Sequence, residues 1–217
     1  MGLSEDLKQG VAERWQQVVG HQFIAELGEG TLDPAVFNVY FDQDYLFLRD
    51  WMILLSMCAA KSPDFDSARQ IVAFLHLGLG GEEGLFQKAF RERGMSTDDV
   101  ESLEYLSTSQ SYSGYLRTQA YEGTFLDVVA TLLAVEWPYL DWATALDGDG
   151  KHPKNQYYQT WIDIHTSPGM DQFVEWLRRT VDASTLAPAQ LKKMQSIFEN
   201  VLKYEVQFFD MAYGGAR

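Results

Sequence analysis

The chain has 217 residues, of which 46% are hydrophobic and 14% aromatic, enough apolar material for one well-packed domain. Its 31 acidic and 17 basic residues give a formal net charge of −14, which argues against a nucleic-acid-binding protein. The single cysteine, Cys58, excludes an intramolecular disulfide. The sequence shows neither a signal peptide nor a run of about 18 uncharged apolar residues. We therefore expect a cytoplasmic protein that binds neither membrane nor nucleic acid.

Helical periodicity dominates the chain, and strand alternation is nearly absent. The first helix is predicted over residues 4–27, and Asp33–Pro34 opens the second as an N-cap followed by a first-turn proline. The remaining helices are predicted over residues 34–61, 65–93, a short segment after Ser96, 109–121, 125–146, 157–164, 169–182 and 188–213. The sequence thus predicts an all-α fold, with residues 1–217 as a single domain of about seven to nine helices.

Three carboxylates occupy positions where the helical pattern predicts core residues. Asp44 lies in the stripe Phe37, Phe41, Asp44, Leu48, Trp51, Leu55, and Glu205 lies in the stripe Met194, Phe198, Val201, Glu205, Phe208, Ala212. Glu136 follows the apolar run 128–135. Because a buried carboxylate is costly unless it is paired, hydrogen-bonded or protonated, three of them on three helices predict an acidic site inside a bundle.

Each carboxylate has a functional and a structural interpretation. Asp44 could accept hydrogen bonds from an amino group or a protonated ring nitrogen. It could instead be a structural carboxylate that caps a buried helix end or pairs with an arginine. Glu205 lies among aromatic residues, so its pKa should be raised, as suits a general acid near neutral pH. Glu136 could face the same site or reach solvent beside Pro138, which removes one backbone hydrogen bond.

Aromatic residues and one histidine are the other candidates for the site. Tyr112, Tyr139 and Phe47 could line a pocket for a flat heterocycle, although aromatics at helical spacing are usually core. His165, at a helix end, is the one histidine that we place near the site. The others form no Glu-x-x-His motif, and neither a phosphate-binding loop nor a nucleophile elbow is present. We therefore predict no metal and no cofactor.

Several short stretches, in this order and spacing, resemble the TenA/THI-4 family, known as thiaminase II or aminopyrimidine aminohydrolase. The stretches are Gly30–Leu32 with Phe37 and Gln43–Asp44; Ser111–Ser113; Leu132–Leu133 through Trp137 and Tyr139; Trp161–Ile162; and Tyr204–Phe208 with Met211–Tyr213. The resemblance extends over essentially the whole chain.

The resemblance implies a haem-oxygenase-like helical bundle, usually a tetramer, that hydrolyses aminopyrimidine breakdown products of thiamin. It implies that Asp44 holds the pyrimidine nitrogens and that Glu205 is the acid/base. It also implies that Phe47 and Tyr112 line the substrate pocket.

Two positions depart from the family pattern. Val135 stands where typical members have a catalytic cysteine, and His165 replaces a second pocket tyrosine. Valine cannot form the covalent adduct of a thiolate. The chain is therefore more similar to a branch of the family that lacks the cysteine and relies on glutamate. Glu136 is the candidate replacement, although it lies about 100° further round the helix than Val135.

Our leading hypothesis is a metal-independent hydrolase of a 5-aminomethyl- or 5-formylaminomethyl-pyrimidine in thiamin salvage. In it, Asp44 orients the ring, and Tyr112 and His165 are hydrogen-bond partners. Glu205 or Glu136 activates water or protonates the leaving nitrogen, and the other glutamate stabilises charge. Low thiaminase activity is expected. One alternative is a catalytically silent protein that binds pyrimidines. Another is a di-metal oxidase on the same scaffold, which the histidine spacing disfavours.

Overall fold

The computed structural model describes residues 2–215, which form eleven helices and no strand. The helices are α1 (Leu3–Gly10), α2 (Ala12–Val19), α3 (Gln22–Glu29), α4 (Pro34–Ala60), α5 (Phe65–Glu92), α6 (Thr97–Glu101), α7 (Ser107–Glu122), α8 (Phe125–Gly148), α9 (Gln156–His165), α10 (Pro168–Asp182) and α11 (Pro188–Gly215). The predicted all-α class is confirmed.

The prediction of one continuous first helix over residues 4–27 is wrong, because three short helices occupy this segment. Val11 leaves the helical conformation with φ −121° and ψ 22°. At the second break, His21 is extended and its Nδ1 accepts a hydrogen bond from the backbone N–H of Phe23. This side-chain cap competes with continuation of the helix. If the three segments are taken as one interrupted helix, residues 2–215 contain nine helices, within the predicted range.

Side-chain caps begin several helices of the bundle, among them α4 and α8, which carry Asp44 and Glu136. Asp33 caps α4, which has Pro34 in its first turn, as the sequence predicts. The predicted capping box of Ser96 and Asp99 opens α6. A second capping box, formed by Thr124 and Asp127, opens α8. Each cap satisfies backbone N–H groups that the first turn leaves unpaired, and so fixes where the helix starts.

Helix α8 lies at the centre of the bundle, since every residue from Asp127 to Tyr139 is buried. It packs against α4, α9, α10 and α11, while α4 also packs against α5, α7 and α11. The helix remains continuous through Pro138. This arrangement brings one face each of α4, α5, α8 and α11 toward a common interior space. Among the helices of residues 2–215, none is both long and apolar enough to cross a lipid bilayer.

Candidate active site

A cavity of about 390 Å³ lies between α4, α5, α8 and α11, and the α9–α10 turn closes one side. This volume is within the range of small-molecule sites. Its walls are mostly apolar and aromatic. They are formed by Phe47, Leu48, Trp51, Phe74, Leu77, Val135, Tyr139, Trp161, Ile164, Pro168 and Met170, with Gly78, Gly81, His165, Ser167 and Gly169. The walls therefore suit a flat heterocycle, as the sequence indicates.

Four carboxylates line this cavity, and each comes from a different helix. Asp44 lies on α4, Glu82 on α5, Glu136 on α8 and Glu205 on α11. The sequence predicts three of them and misses Glu82. Among the described residues, the cavity lining contains no lysine and no arginine. The site is thus a cluster of hydrogen-bond acceptors without a cationic side chain to neutralise them.

Glu205 accepts a short hydrogen bond from a buried tyrosine. The Tyr112 hydroxyl donates to Glu205 Oε1 at 2.5 Å, and the Tyr112 ring packs against Phe47 and stacks on Tyr204. Burial raises the pKa of Glu205 to about 8, while the hydrogen bond from Tyr112 acts in the opposite direction. Tyr112 is not on the cavity wall itself. Its hydroxyl binds Glu205 from the side away from the cavity. With a pKa of about 8, Glu205 is largely protonated at neutral pH.

Glu136 is held by the neighbouring tryptophan of α4. The Trp51 Nε1–H donates to Glu136 Oε1 at 2.6 Å. The Glu136 side chain is buried and lines the cavity, so the interpretation that it reaches solvent beside Pro138 is wrong. Burial raises its pKa to about 7, and the Trp51 bond opposes the rise. Glu136 can therefore accept or donate a proton near neutral pH.

The other two carboxylates, Asp44 and Glu82, accept no hydrogen bond from the described residues. Asp44 is only 8% exposed, and within residues 2–215 neither Asp44 nor Glu82 has a hydrogen-bond or ion-pair partner. Burial and the nearby Glu82 carboxylate raise the pKa of Asp44 well above its ordinary value. Burial, followed by Glu136, raises the pKa of Glu82 to about 8.

A structural carboxylate of the same helix shows the contrast. Asp50 is fully buried, but it pairs with Arg117 and accepts a hydrogen bond from the Tyr105 hydroxyl at 2.8 Å. The protein thus satisfies a buried acid where its role is structural. The interpretation of Asp44 as an arginine-paired residue is wrong, and its free acceptors lie on the cavity wall.

His165 is a neutral acceptor in this site. Its Nδ1 lies 2.7 Å from the Trp161 carbonyl oxygen, and this contact requires a proton on Nδ1, which leaves Nε2 as an acceptor. Burial lowers the pKa of His165 to about 4, with the Trp161 bond opposing the change. The ring lies 5.0 Å from that of Tyr139, whose hydroxyl is 3.2 Å from the Tyr40 hydroxyl.

No thiol lines this cavity among the described residues. Val135 lies on the wall at the position that the sequence assigns to the missing nucleophile. The chain's single cysteine, Cys58, is fully buried and is not part of the lining. Burial raises its pKa to about 12, with Lys61 opposing the rise. Within residues 2–215, no group of three or more histidine, cysteine or acidic side chains is placed to hold a metal ion.

The structure therefore gathers every predicted site residue around one cavity, with Tyr112 directly behind its wall. It adds Glu82 and Trp51, which sequence reasoning did not assign to the site. Trp51 was visible on the Asp44 stripe. Glu82 had a weaker signal: Phe74, Gly78, Glu82, Phe86 and Phe90 recur at steps of four along α5. Glycines obscured this stripe, because they contribute no hydrophobicity.

The chain is similar to known proteins over nearly its whole length. An "Aminopyrimidine aminohydrolase" of Halalkalibacterium halodurans is 27% identical over 215 residues, 98% of this chain and 96% of that protein. The solved "TenA homologue protein" from P. horikoshii superposes with a TM-score of 0.88 at 21% identity, with 99% of this chain and 100% of that one covered.

The same fold extends to a protein solved with bound haem. Haem oxygenase-1 from the cyanobacterium Synechocystis superposes with a TM-score of 0.70 at 13% identity, covering 100% of this chain and 94% of that one. The predicted haem-oxygenase-like fold is confirmed. A family model described as TENA/THI-4/PQQC matches residues 8–215. The chain therefore belongs to the TENA/THI-4/PQQC family.

Proposed function

We propose that this protein is a cysteine-independent hydrolase of aminopyrimidine or N-formylaminopyrimidine products of thiamin breakdown, acting in thiamin salvage. The observation that carries the proposal is the convergence of Asp44, Glu82, Glu136 and Glu205 in one aromatic cavity that lacks a thiol. The activity named for the H. halodurans relative, aminopyrimidine aminohydrolase, supports the same substrate class.

Substrate binding follows from the walls of the cavity. A pyrimidine ring is flat and apolar on its faces, and Phe47, Tyr139 and Trp161 offer surfaces against which it can pack. The edge of an aminopyrimidine carries N–H donors. Asp44, buried and without a hydrogen-bond partner among the described residues, would accept those hydrogen bonds and share a proton with a ring nitrogen. His165 Nε2 offers a further acceptor.

Glu136 and Glu205 would divide the acid–base work. For an aminomethyl substrate, water adds to the methylene carbon as the carbon–nitrogen bond breaks, which yields the hydroxymethylpyrimidine and ammonia. For a formylated substrate, water adds to the formyl carbon and releases formate with the free amine. In either case Glu136, with its pKa of about 7, can take the proton from water. Glu205, with its pKa of about 8, can supply the proton where the departing nitrogen is not already protonated, as in the formylated substrate.

Cleavage of intact thiamin requires a stronger nucleophile than the water that Glu136 activates. In the resembling family, expulsion of the thiazole passes through a thiolate adduct on the pyrimidine ring. Val135 offers no such group, and Cys58 lies outside the cavity lining with its pKa raised to about 12. We therefore expect hydrolysis of aminopyrimidines with little thiaminase activity.

The test is a turnover panel of purified protein with the aminomethyl pyrimidine, its N-formyl form and thiamin, read out as ammonia, formate and thiazole release. Glu205→Gln should remove most of the pyrimidine activity, whereas Glu199→Gln, an exposed change on the same helix, should not. Binding without release would favour the silent binding protein. Efficient thiamin cleavage with poor aminopyrimidine hydrolysis would refute the proposal. The family resemblance also supports a cytoplasmic homotetramer, which sedimentation equilibrium and cell fractionation would test.

A further inference from the structure

Glu82 is the one carboxylate of the cavity to which neither the sequence nor the acid–base scheme gives a task. It lies in the middle of α5, partly buried, and lines the cavity together with Gly78 and Gly81 of the same helix. Within residues 2–215 it forms no hydrogen bond and no ion pair. What it binds depends on the proposed function, so the inference rests on that function.

The four carboxylates fall into two pairs by their protein contacts. Glu136 accepts from Trp51 Nε1 at 2.6 Å, and Glu205 accepts from the Tyr112 hydroxyl at 2.5 Å. Asp44 and Glu82 receive no donor from the described residues, although Asp44 is more than nine-tenths buried. The pair Asp44 and Glu82 is therefore the part of the wall whose acceptors a ligand must satisfy.

The charge of the site points to the chemistry of that ligand. A carboxylate is an acceptor-only group when ionised, so its partner must supply N–H or O–H donors. Within residues 2–215 no lysine or arginine lines the cavity, and His165 is held neutral. Asp44 and Glu82 lie close enough for the charge of Glu82 to act on Asp44. Burial raises the pKa of both groups, that of Glu82 to about 8, and a bound cation would favour their ionised, acceptor-only forms, which a neutral ligand cannot do.

Two free carboxylates match the two donor-bearing parts of an aminomethylpyrimidine: the amino-substituted ring and the aminomethyl arm. We propose that Glu82 is a substrate-binding residue that holds the arm as a protonated amine, while Asp44 holds the ring. Gly78 and Gly81 line the cavity on the same helix as Glu82, so no side chain from these two positions fills the space beside it. The site thereby prefers the free amine over the neutral N-formyl form.

The proposal is tested by comparing charged and neutral substrates in wild type and Glu82→Gln. Glutamine keeps the size of the side chain and one acceptor, and removes the charge. A charge-assisted hydrogen bond corresponds to about a ten- to hundredfold effect. We expect kcat/KM for the aminomethyl substrate to fall by about that factor, mainly through KM, while kcat/KM for the N-formyl substrate changes by less than about threefold. Glu83→Gln, a neighbouring change outside the cavity lining, should alter neither.

An equal loss on both substrates, or no loss on either, would overturn the assignment. Glu82→Asp keeps the charge on a shorter side chain and should recover part of the preference for the amine. A second measurement is independent of turnover: calorimetry of wild type with benzylamine and benzyl alcohol, an amine and a neutral analogue of one ring. Tighter binding of benzylamine, lost in Glu82→Gln, supports the role of Glu82 even if no pyrimidine is hydrolysed. Equal affinities for the two probes in wild type would refute it.

Discussion

Replacing Glu205 by glutamine should stabilise the folded protein, and the gain should grow as the pH rises. Glu205 is buried, and its pKa is about 8 in the folded protein against an ordinary value of 4.5. The folded state therefore holds this proton more tightly than the unfolded chain. The contribution of this more tightly bound proton to the free energy of unfolding is fully present below pH 4.5. It is lost as the pH rises through about 8.

The size of the effect follows from the two pKa values. At about 1.4 kcal/mol for each pH unit between them, the full difference is at most about 5 kcal/mol. Between pH 5 and pH 8, about 3.5 kcal/mol of this is lost, because at pH 5 the unfolded chain has already released most of the proton. Glutamine carries no titrating proton, and its amide oxygen can still accept the hydrogen bond from the Tyr112 hydroxyl.

The assay is urea denaturation of wild type, Glu205→Gln and Glu199→Gln at pH 5, 6, 7 and 8, at one protein concentration. Glu199 is exposed on the same helix, so its variant should follow wild type at every pH. The free energy of unfolding of Glu205→Gln should exceed that of wild type by an amount that increases from pH 5 to pH 8. A difference in the free energy of unfolding that stays constant with pH, or a Glu205→Gln variant less stable than wild type at pH 8, would refute the raised pKa of Glu205.

Three further predictions follow from the same geometry. Asp44→Ala should abolish aminopyrimidine binding in calorimetry while circular dichroism stays unchanged, and normal binding would contradict its role. Cys58→Ala should keep nearly full turnover with a modest loss of stability, because Cys58 is buried away from the cavity; complete inactivation of the folded variant would revive a thiol mechanism. Gly80→Ala should raise the free energy of unfolding by about 0.5–1 kcal/mol, since Gly80 lies exposed inside α5 with open space around it. Gly78→Ala, the matched change two residues earlier, should instead lower activity, because its Cβ would lie 2.5 Å from the Trp51 ring that holds Glu136. Equal effects of the two alanines would contradict this.

Much of the site could be predicted because helical periodicity ties sequence position to burial. Asp44, Glu136 and Glu205 each interrupt a long apolar pattern, so each was expected inside the bundle, and all three line the cavity. Glu82 was not predicted from helical periodicity. It lies in a run of glycines, and its burial is set by the approach of α5 to α4 rather than by its neighbours in sequence.

Local competition explains the other departure from prediction. The apolar spacing of residues 4–27 is compatible with one helix, and periodicity does not register a single residue whose backbone turns away. Val11 and His21 make those turns, and His21 adds a side-chain cap that starts a new helix. The hydrogen-bond donors to Glu136 and Glu205 could not be predicted from the sequence either, because Trp51 and Tyr112 lie on other helices.

A crystal structure of the protein with a bound 5-aminomethylpyrimidine would show which side chains contact the substrate. We expect the ring in the α4–α5–α8–α11 cavity, against Phe47 and Tyr139, with the ring nitrogens within hydrogen-bond distance of Asp44. We also expect the amine beside Glu82 and the reacting carbon between Glu136 and Glu205. A pyrimidine bound outside this cavity, or bound within it without touching a carboxylate, would refute the proposed hydrolase site.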